Sequence, residues 1–209
     1  MTQRLIFTHI IFSLLFARTL PDDYFQQDLK YNIQVTLNDS MHTITGHESI
    51  LYTNNSPDTL TFLWFHIWPN AYKNNETAFA KQMWNFNRTK FYFSKEEDRG
   101  YIDSLDFFID STQAKWEYHE EWEDVAKIQL PEPLYPGNSI KIETPFFVKI
   151  PIVFSRFGHS GKHYEMTQWY PKPAVYDKFG WHPMPYLNMG EFYSEFGSFD
   201  VFITLPEEY

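Results

Sequence analysis

Apolar and polar residues alternate over residues 31–37 (YNIQVTL), the two-residue period of a half-buried strand. Asn38-Asp39-Ser40 breaks the run with turn chemistry, and residues 43–52 (TITGHESILY) predict the next strand. After a polar turn at 54–58, residues 59–68 (TLTFLWFHIW) form a dense β-branched and aromatic run, the pattern of an interior strand covered on both faces. These three segments predict a β-meander. Residues 69–100 hold no steady period; within them 77–84 (TAFAKQMW) predict a short helix and 95–99 an exposed charged corner. Strands are expected again at 101–109, 114–118, 125–130 and 139–150, with Tyr135-Pro136-Gly137-Asn138 as the corner of a hairpin across 134–140. A glycine-containing loop at 156–161 precedes two last strands, 163–169 and 199–205. No internal repeat or low-complexity tract interrupts the pattern. Nothing closes the domain after Pro206-Glu207-Glu208, so the expected reading is a piece of a longer protein.

The first residues carry a different signal. Arg4 precedes an apolar run, residues 5–17 (LIFTHIIFSLLFA), and Ala17 is a small residue at a possible cleavage position. The run is shorter than the about 20 residues that a membrane-spanning helix needs. It reads as a signal peptide over residues 1–20, cleaved between Ala17 and Leu20, with a mature domain over 21–209. The other reading is a buried N-terminal helix or strand. A signal peptide implies an exported protein, periplasmic or secreted to the cell surface, with no membrane span after its removal.

Composition narrows the class. The chain has 209 residues, with 21 Phe, 14 Tyr and 7 Trp, enough apolar area for one large packed domain. Thirteen Pro between short apolar runs favour strands and turns over long helices. A net charge of −10 repels phosphate backbones, which argues against nucleic-acid partners. The absence of Cys excludes disulfides and thiolate metal sites.

Zinc-peptidase chemistry needs two His four apart on a helix, with Glu as base, and no such motif occurs in the chain. His119-Glu120-Glu121-Trp122-Glu123 has Glu where the second His belongs and reads as a solvated acidic loop. His159 and His163 are four apart with Glu165 nearby, but Gly158 and Gly161 argue against a helix that presents both rings on one face. His66, in an apolar strand, reads as a hydrogen-bonded core residue, and His182 as part of an aromatic turn. Lys172 and Asp177 are expected to pair structurally. The aromatic group Trp169, Tyr170, Trp181, Tyr186, Phe192, Tyr193 and Phe196 has two readings: a subsite for an apolar side chain, or a core and interdomain contact. Asn38, Asn54, Asn75 and Asn87 each begin an Asn-x-Ser/Thr triplet, surface acceptors if the protein passes through a eukaryotic secretory route. Ser155 and Ser160 lie near His159, but neither sits in a nucleophile elbow.

Three stretches carry a resemblance. The first is residues 31–37 with residues 43–72, where Phe65-His66-Ile67-Trp68-Pro69-Asn70 closes the third strand. The second is residues 130–151 (LPEPLYPGNSIKIETPFFVKIP). The third joins residues 166–186 (MTQWYPKPAVYDKFGWHPMPY) to residues 190–209 (GEFYSEFGSFDVFITLPEEY). In this order they resemble the N-terminal domain of aminopeptidase N-like zinc metallopeptidases, in the group found in Bacteroidetes-type bacteria. The resemblance implies an all-β fold, a twisted antiparallel saddle or sandwich, packed on a catalytic domain that carries the zinc. No cofactor is expected in this chain itself. In the family a Thr-Gln-x-Glu or Thr-Gln-x-Gln motif reaches the substrate α-amine, and its counterpart is Thr167-Gln168-Trp169-Tyr170. The resemblance therefore implies that Gln168, Trp169 and Tyr170 bind the peptide substrate near its N-terminus. Tyr170 departs from the motif: a phenol accepts a hydrogen bond and offers a ring face, without a carboxylate's charge. A reading from another class is a free-standing β-sandwich that binds proteins and has no hydrolase activity. A free-standing domain should stay soluble and monomeric, whereas a severed one should expose an apolar face.

Overall fold

The strong alternation at the start of the chain becomes two long paired strands in the computed structural model, which describes residues 24–209. The expected signal peptide over residues 1–20 lies outside the described residues. Strand β1 (Asp28–Asn38) turns Leu29, Tyr31, Ile33 and Val35 inward. Strand β2 (Thr43–Thr53) pairs with it in antiparallel register from Asp28↔Thr53 to Asn38↔Thr43. The Asn38 side chain closes the turn between them by accepting from the backbone N–H groups of Ser40 (3.2 Å) and Met41 (3.1 Å).

Strand β3 (Leu60–His66) leads into a 3-10 turn (Trp68–Tyr72) and helix α1 (Ala78–Asn85). Four short strands follow: β4 (Tyr101–Asp103), β5 (Phe108–Ile109), β6 (Thr112–Gln113) and β7 (Trp116–Tyr118). Strands β8 (Val125–Leu134) and β9 (Ser139–Lys149) are long. The ribbon β10 (Gly158–Ser160) and β11 (His163–Glu165) precedes β12 (Lys172–Pro173), then the ribbon β13 (Tyr176–Asp177) and β14 (Gly180–Trp181), and last β15 (Gly197–Thr204). One sheet has the order β15-β1-β2-β9-β5-β6 with β4 also on β9, and the second has β12-β3-β8-β7. The all-β expectation holds, with α1 as a small addition.

Several details differ from the expectation. The predicted meander does not form, because β9 occupies the second edge of β2 from Thr43↔Lys149 to Thr53↔Ser139. Strand β3 therefore crosses to the second sheet and pairs with β8. The Pro136-Gly137 turn is likewise a corner between sheets rather than a hairpin, since β8 and β9 pair with different neighbours. Gly137 has φ +78°, which suits a turn that needs a left-handed residue. The corner is clasped to the 54–58 turn: Gly137 N–H donates to Asn54 O at 2.7 Å, and Asn54 N–H to Asn138 O at 2.9 Å. Asn54 is itself buried, and its amide donates to Asp58 O (2.8 Å) and Leu134 O (3.1 Å), so it is no surface acceptor.

Other corrections are local. The predicted strand 101–109 splits where Ser104 takes φ +60°. From Asp103↔Phe147 to Phe108↔Glu143 it spends five residues against four, so one extra residue is looped out. The predicted strand 163–169 ends at Glu165, before Gln168 turns left-handed at φ +57°. Strand β3 has one core face, with Leu63 and Phe65 fully buried, while Phe62 and Trp64 are half-buried on the other under the Lys127 ammonium. The sheet is not wholly antiparallel: β15 runs parallel to β1, from Leu29↔Gly197 to Thr36↔Thr204.

The irregular 69–100 stretch turns out to pack an aromatic core. Thr77 caps α1 by accepting from Ala80 N–H at 3.2 Å, which aims Phe79, Ala80 and Met83 inward. Phe79 lies 4.6 Å from Tyr72, 5.1 Å from Phe91 and 5.7 Å from Tyr186 between ring centres. Asn70 is buried and satisfies two backbone groups, accepting from Ile102 N–H and donating to Glu123 O, both at 3.0 Å. The resemblance-bearing segment 65–70 thus ends in a structural amide.

Candidate peptide-contact site

Gln168, Trp169 and Tyr170 lie in the turn between β11 and β12, all half-buried. The left-handed backbone at Gln168 is uncommon for a residue with a Cβ and must be held by its surroundings. Thr167 Oγ1 donates to Arg156 O at 2.7 Å on one side. On the other, the Lys172 ammonium donates to Gln168 Oε1 and to Ser194 Oγ (2.9 Å), and stands 4.2 Å over the Trp68 ring. The expected pairing of Lys172 with Asp177 is not formed. Asp177 instead takes His182 Nε2 at 2.8 Å, Tyr193 OH at 3.2 Å and Phe179 N–H at 2.8 Å. Lys172 sits on the edge of the second sheet and Asp177 in the β13–β14 ribbon, which carries their side chains to separate partners.

Tyr170 packs edge-on to Tyr31 at 5.8 Å and Trp169 lies 6.1 Å from Phe146, so both rings rest on the inner face of the first sheet. Beneath them is Glu48, fully buried, with neither carboxylate oxygen hydrogen-bonded. Burial pushes its carboxyl well above the ordinary range. Burial first, and the Glu48 carboxyl second, push the Tyr170 phenol up to about 12, so it is a neutral hydroxyl at physiological pH. Burial lowers Lys172 to about 7 and, with Lys172 next, His66 to about 3. His66 is the core residue expected, accepting from Met184 N–H at 3.2 Å through Nε2.

Trp169 also lines a cavity of about 380 Å3, together with Val35, Leu37, Ile44, Tyr164 and Met166, and closed on one side by Ile203 and Leu205 of the β15 end. The β10–β11 ribbon that walls it is tied to the β1–β2 turn by Tyr164 OH to His42 Nδ1 (2.8 Å) and Lys162 to Asp39 (3.2 Å). Strand β15 continues this apolar surface. Its Phe199 ring stacks on Tyr31 at 4.4 Å, yet all eight of its residues are exposed, with Val201 42% and Ile203 59% accessible.

The aromatic group expected as one cluster is divided. Tyr186 is core; Phe192 covers Trp68 at 4.7 Å under the Arg156 guanidinium; Trp181 packs on Tyr176 at 4.9 Å. Phe196 is 81% exposed. Only Trp169 and Tyr170 of that group stand at the candidate site. Glu48, Lys172 and Ser194 were not singled out as site residues from the sequence. Glu48 leaves a readable trace: it falls on the inward parity of Ile44, Ile50 and Tyr52 in an alternating strand.

Among the described residues no group of three His, Cys, Asp or Glu side chains could hold a metal. Glu123 is engaged by Lys73 at 2.9 Å and by Asn74, and His119 stacks on Trp122 at 4.3 Å. His159 and His163 lie one step apart across the β10–β11 ladder, which sends their side chains to opposite faces; His159 stacks on His42 at 3.5 Å. These residues do not fit a zinc ion.

No family model matches the chain, and no curated protein matches it. Among solved structures it is similar to the M1 zinc metallopeptidase from Deinococcus radiodurans, at 12% identity and a TM-score of 0.48, over 87% of this chain and 33% of that one. A mutant of that enzyme bound to a Tyr-Ser-Ala substrate matches at 12% identity and a TM-score of 0.46 over the same shares, 87% and 33%. Yeast LTA4 hydrolase with bestatin matches at 10% identity and a TM-score of 0.32, over 58% of this chain and 14% of that one. The chain thus spans about a third of the Deinococcus enzyme, at 33%.

Proposed function

We propose that this chain is the non-catalytic N-terminal domain of an exported zinc aminopeptidase, in which it packs on the catalytic domain and contacts the peptide substrate. The ordered motifs in residues 31–72, 130–151 and 166–209 support the peptidase part of this reading. The observation that carries the domain-packing part is β15. An edge strand with its side chains toward solvent on both faces, holding Phe199, Val201, Phe202 and Ile203 and no lysine or proline guard, suits a surface that another body covers. It adjoins the Trp169 cavity and the Gln168–Tyr170 turn, so a covering domain would meet the candidate site.

In this assembly zinc and the catalytic Glu belong to the catalytic domain, and the present chain supplies shape and contact. The Gln168 amide and the Tyr170 hydroxyl offer neutral hydrogen-bonding groups to a peptide, and Trp169 a ring beside an apolar cavity. A free-standing scaffold domain gains no support from an uncovered strand of this kind. Gln168→Ala with Tyr170→Ala, placed in the enzyme that carries this chain, lowers kcat/KM on short peptides by about tenfold or more, the loss of roughly 1.4 kcal/mol of transition-state contact. Unchanged kcat/KM in the double variant removes the contact.

A further inference from the structure

Lys172 is 5% exposed, on a two-residue strand against β3, and its ammonium has no anion beside it. Its partners are the amide oxygen of Gln168, the hydroxyl of Ser194 at 2.9 Å and the face of Trp68 at 4.2 Å, all neutral. Among the described residues no carboxylate pairs with it, although the chain has 27 Asp and Glu. A buried cation without a counter-ion is costly, and buried charges are ordinarily paired. Of its two oxygen partners one belongs to Gln168, the half-buried residue whose left-handed backbone must be held in place.

We propose that Gln168, Lys172 and Ser194 form a latent carboxylate site, in which an acidic group of the bound peptide displaces the Gln168 amide oxygen and pairs with the Lys172 ammonium. It rests on the peptide-contact reading for the identity of its ligand, though binding can be read on this chain alone. A carboxylate accepts from two donors at once and brings the charge that an amide lacks. The cation–π contact with Trp68 keeps the ammonium pointed at the same spot whether or not the ligand is there. The site therefore selects acidic peptides, and Lys172 is its specificity-determining residue. The depression of Lys172 by burial, to about 7, is what an ammonium lacking a counter-ion shows, and a bound carboxylate reverses it.

The test is NMR of the chain labelled at its lysine side-chain nitrogens, titrated in pH with three probes. N-acetyl-glutamate α-amide carries a side-chain carboxylate, N-acetyl-glycine a terminal one, and N-acetyl-glutamine α-amide neither. A saturating acid raises the Lys172 midpoint by about one unit, a tenfold linkage between proton and ligand, while the neutral probe leaves it in place. Whichever acid acts identifies whether the side-chain or the terminal carboxylate is read. Gln168→Ala, which removes the placeholder oxygen, tightens binding of the effective acid, an outcome that a merely structural Lys172 would not produce. Lys172→Met abolishes binding and still folds, because it removes a buried charge and keeps the stem. The proposal is overturned if neither acid gives a saturable shift, if the neutral probe shifts the midpoint equally, or if Lys172→Met binds as the parent does.

Discussion

Replacing Glu48 with Met stabilises the chain at pH 7.5 by about 1–3 kcal/mol, the cost of burying polar atoms without partners. For a domain of this size that raises the unfolding midpoint by roughly 2–4 °C per kcal/mol. Glu48 is fully buried in β2, and both of its oxygens lack hydrogen bonds. Its neighbours on the sheet face are Ile33 across the ladder and the Tyr31 and Tyr170 rings, none of which neutralises a charge. Burial holds the proton on in the folded chain, whereas an unfolded chain releases it around 4.5. Stability from this group is therefore complete below that pH. It falls as pH rises toward the raised folded value, at up to about 1.4 kcal/mol per unit. Glu48→Gln cannot titrate, so the gap between it and the parent should be small at pH 4 and widen through pH 5–7. Denaturant melts across that range check it. A pH-independent gap would mean that Glu48 is not protonated in the fold.

The uncovered β15 gives the second large effect. The chain by itself should bind a hydrophobic dye strongly and self-associate as concentration rises. Phe199, Val201, Ile203 and Leu205 are all between 42% and 59% exposed. Burying the remainder of each returns on the order of 1 kcal/mol, and edge backbone pairing adds to it, against the cost of association, so self-association is weak and grows with concentration. Val201→Lys with Ile203→Lys puts charges on the face shared with Ile33 and Val35, and should cut dye binding severalfold and hold the chain monomeric near 1 mM. Sedimentation and dye fluorescence read both. A parent chain that stays monomeric and dark to the dye would show that this face needs no cover.

How much of this was legible in the sequence depended on range. Local period located β2, β9 and the short helix within one residue and β1 within three, because alternation and capping act between near neighbours. Partnership was not legible: 59–68 reads like the third strand of a meander, yet β9, about ninety residues away, takes the edge of β2. The parallel entry of β15 has no local signature either, since it depends on where the chain returns from residues 182–196. At the site, the resemblance located Gln168, Trp169 and Tyr170, which the fold places in one turn. It could not locate Lys172 as the partner of Gln168, nor Ser194 as the partner of Lys172, because the Lys172–Ser194 contact joins segments 22 residues apart beside Trp68 of a third. Glu48 was visible only as a parity violation in an otherwise apolar strand face.

The most direct measurement captures the native protein from its source with an antibody to this chain and assays it on aminoacyl-p-nitroanilides and short peptides. Aminopeptidase activity that travels with the chain, is lost to a chelator and returns with zinc is the predicted result. Capture of the intact native protein with no such activity would contradict the assignment of this domain to a zinc aminopeptidase.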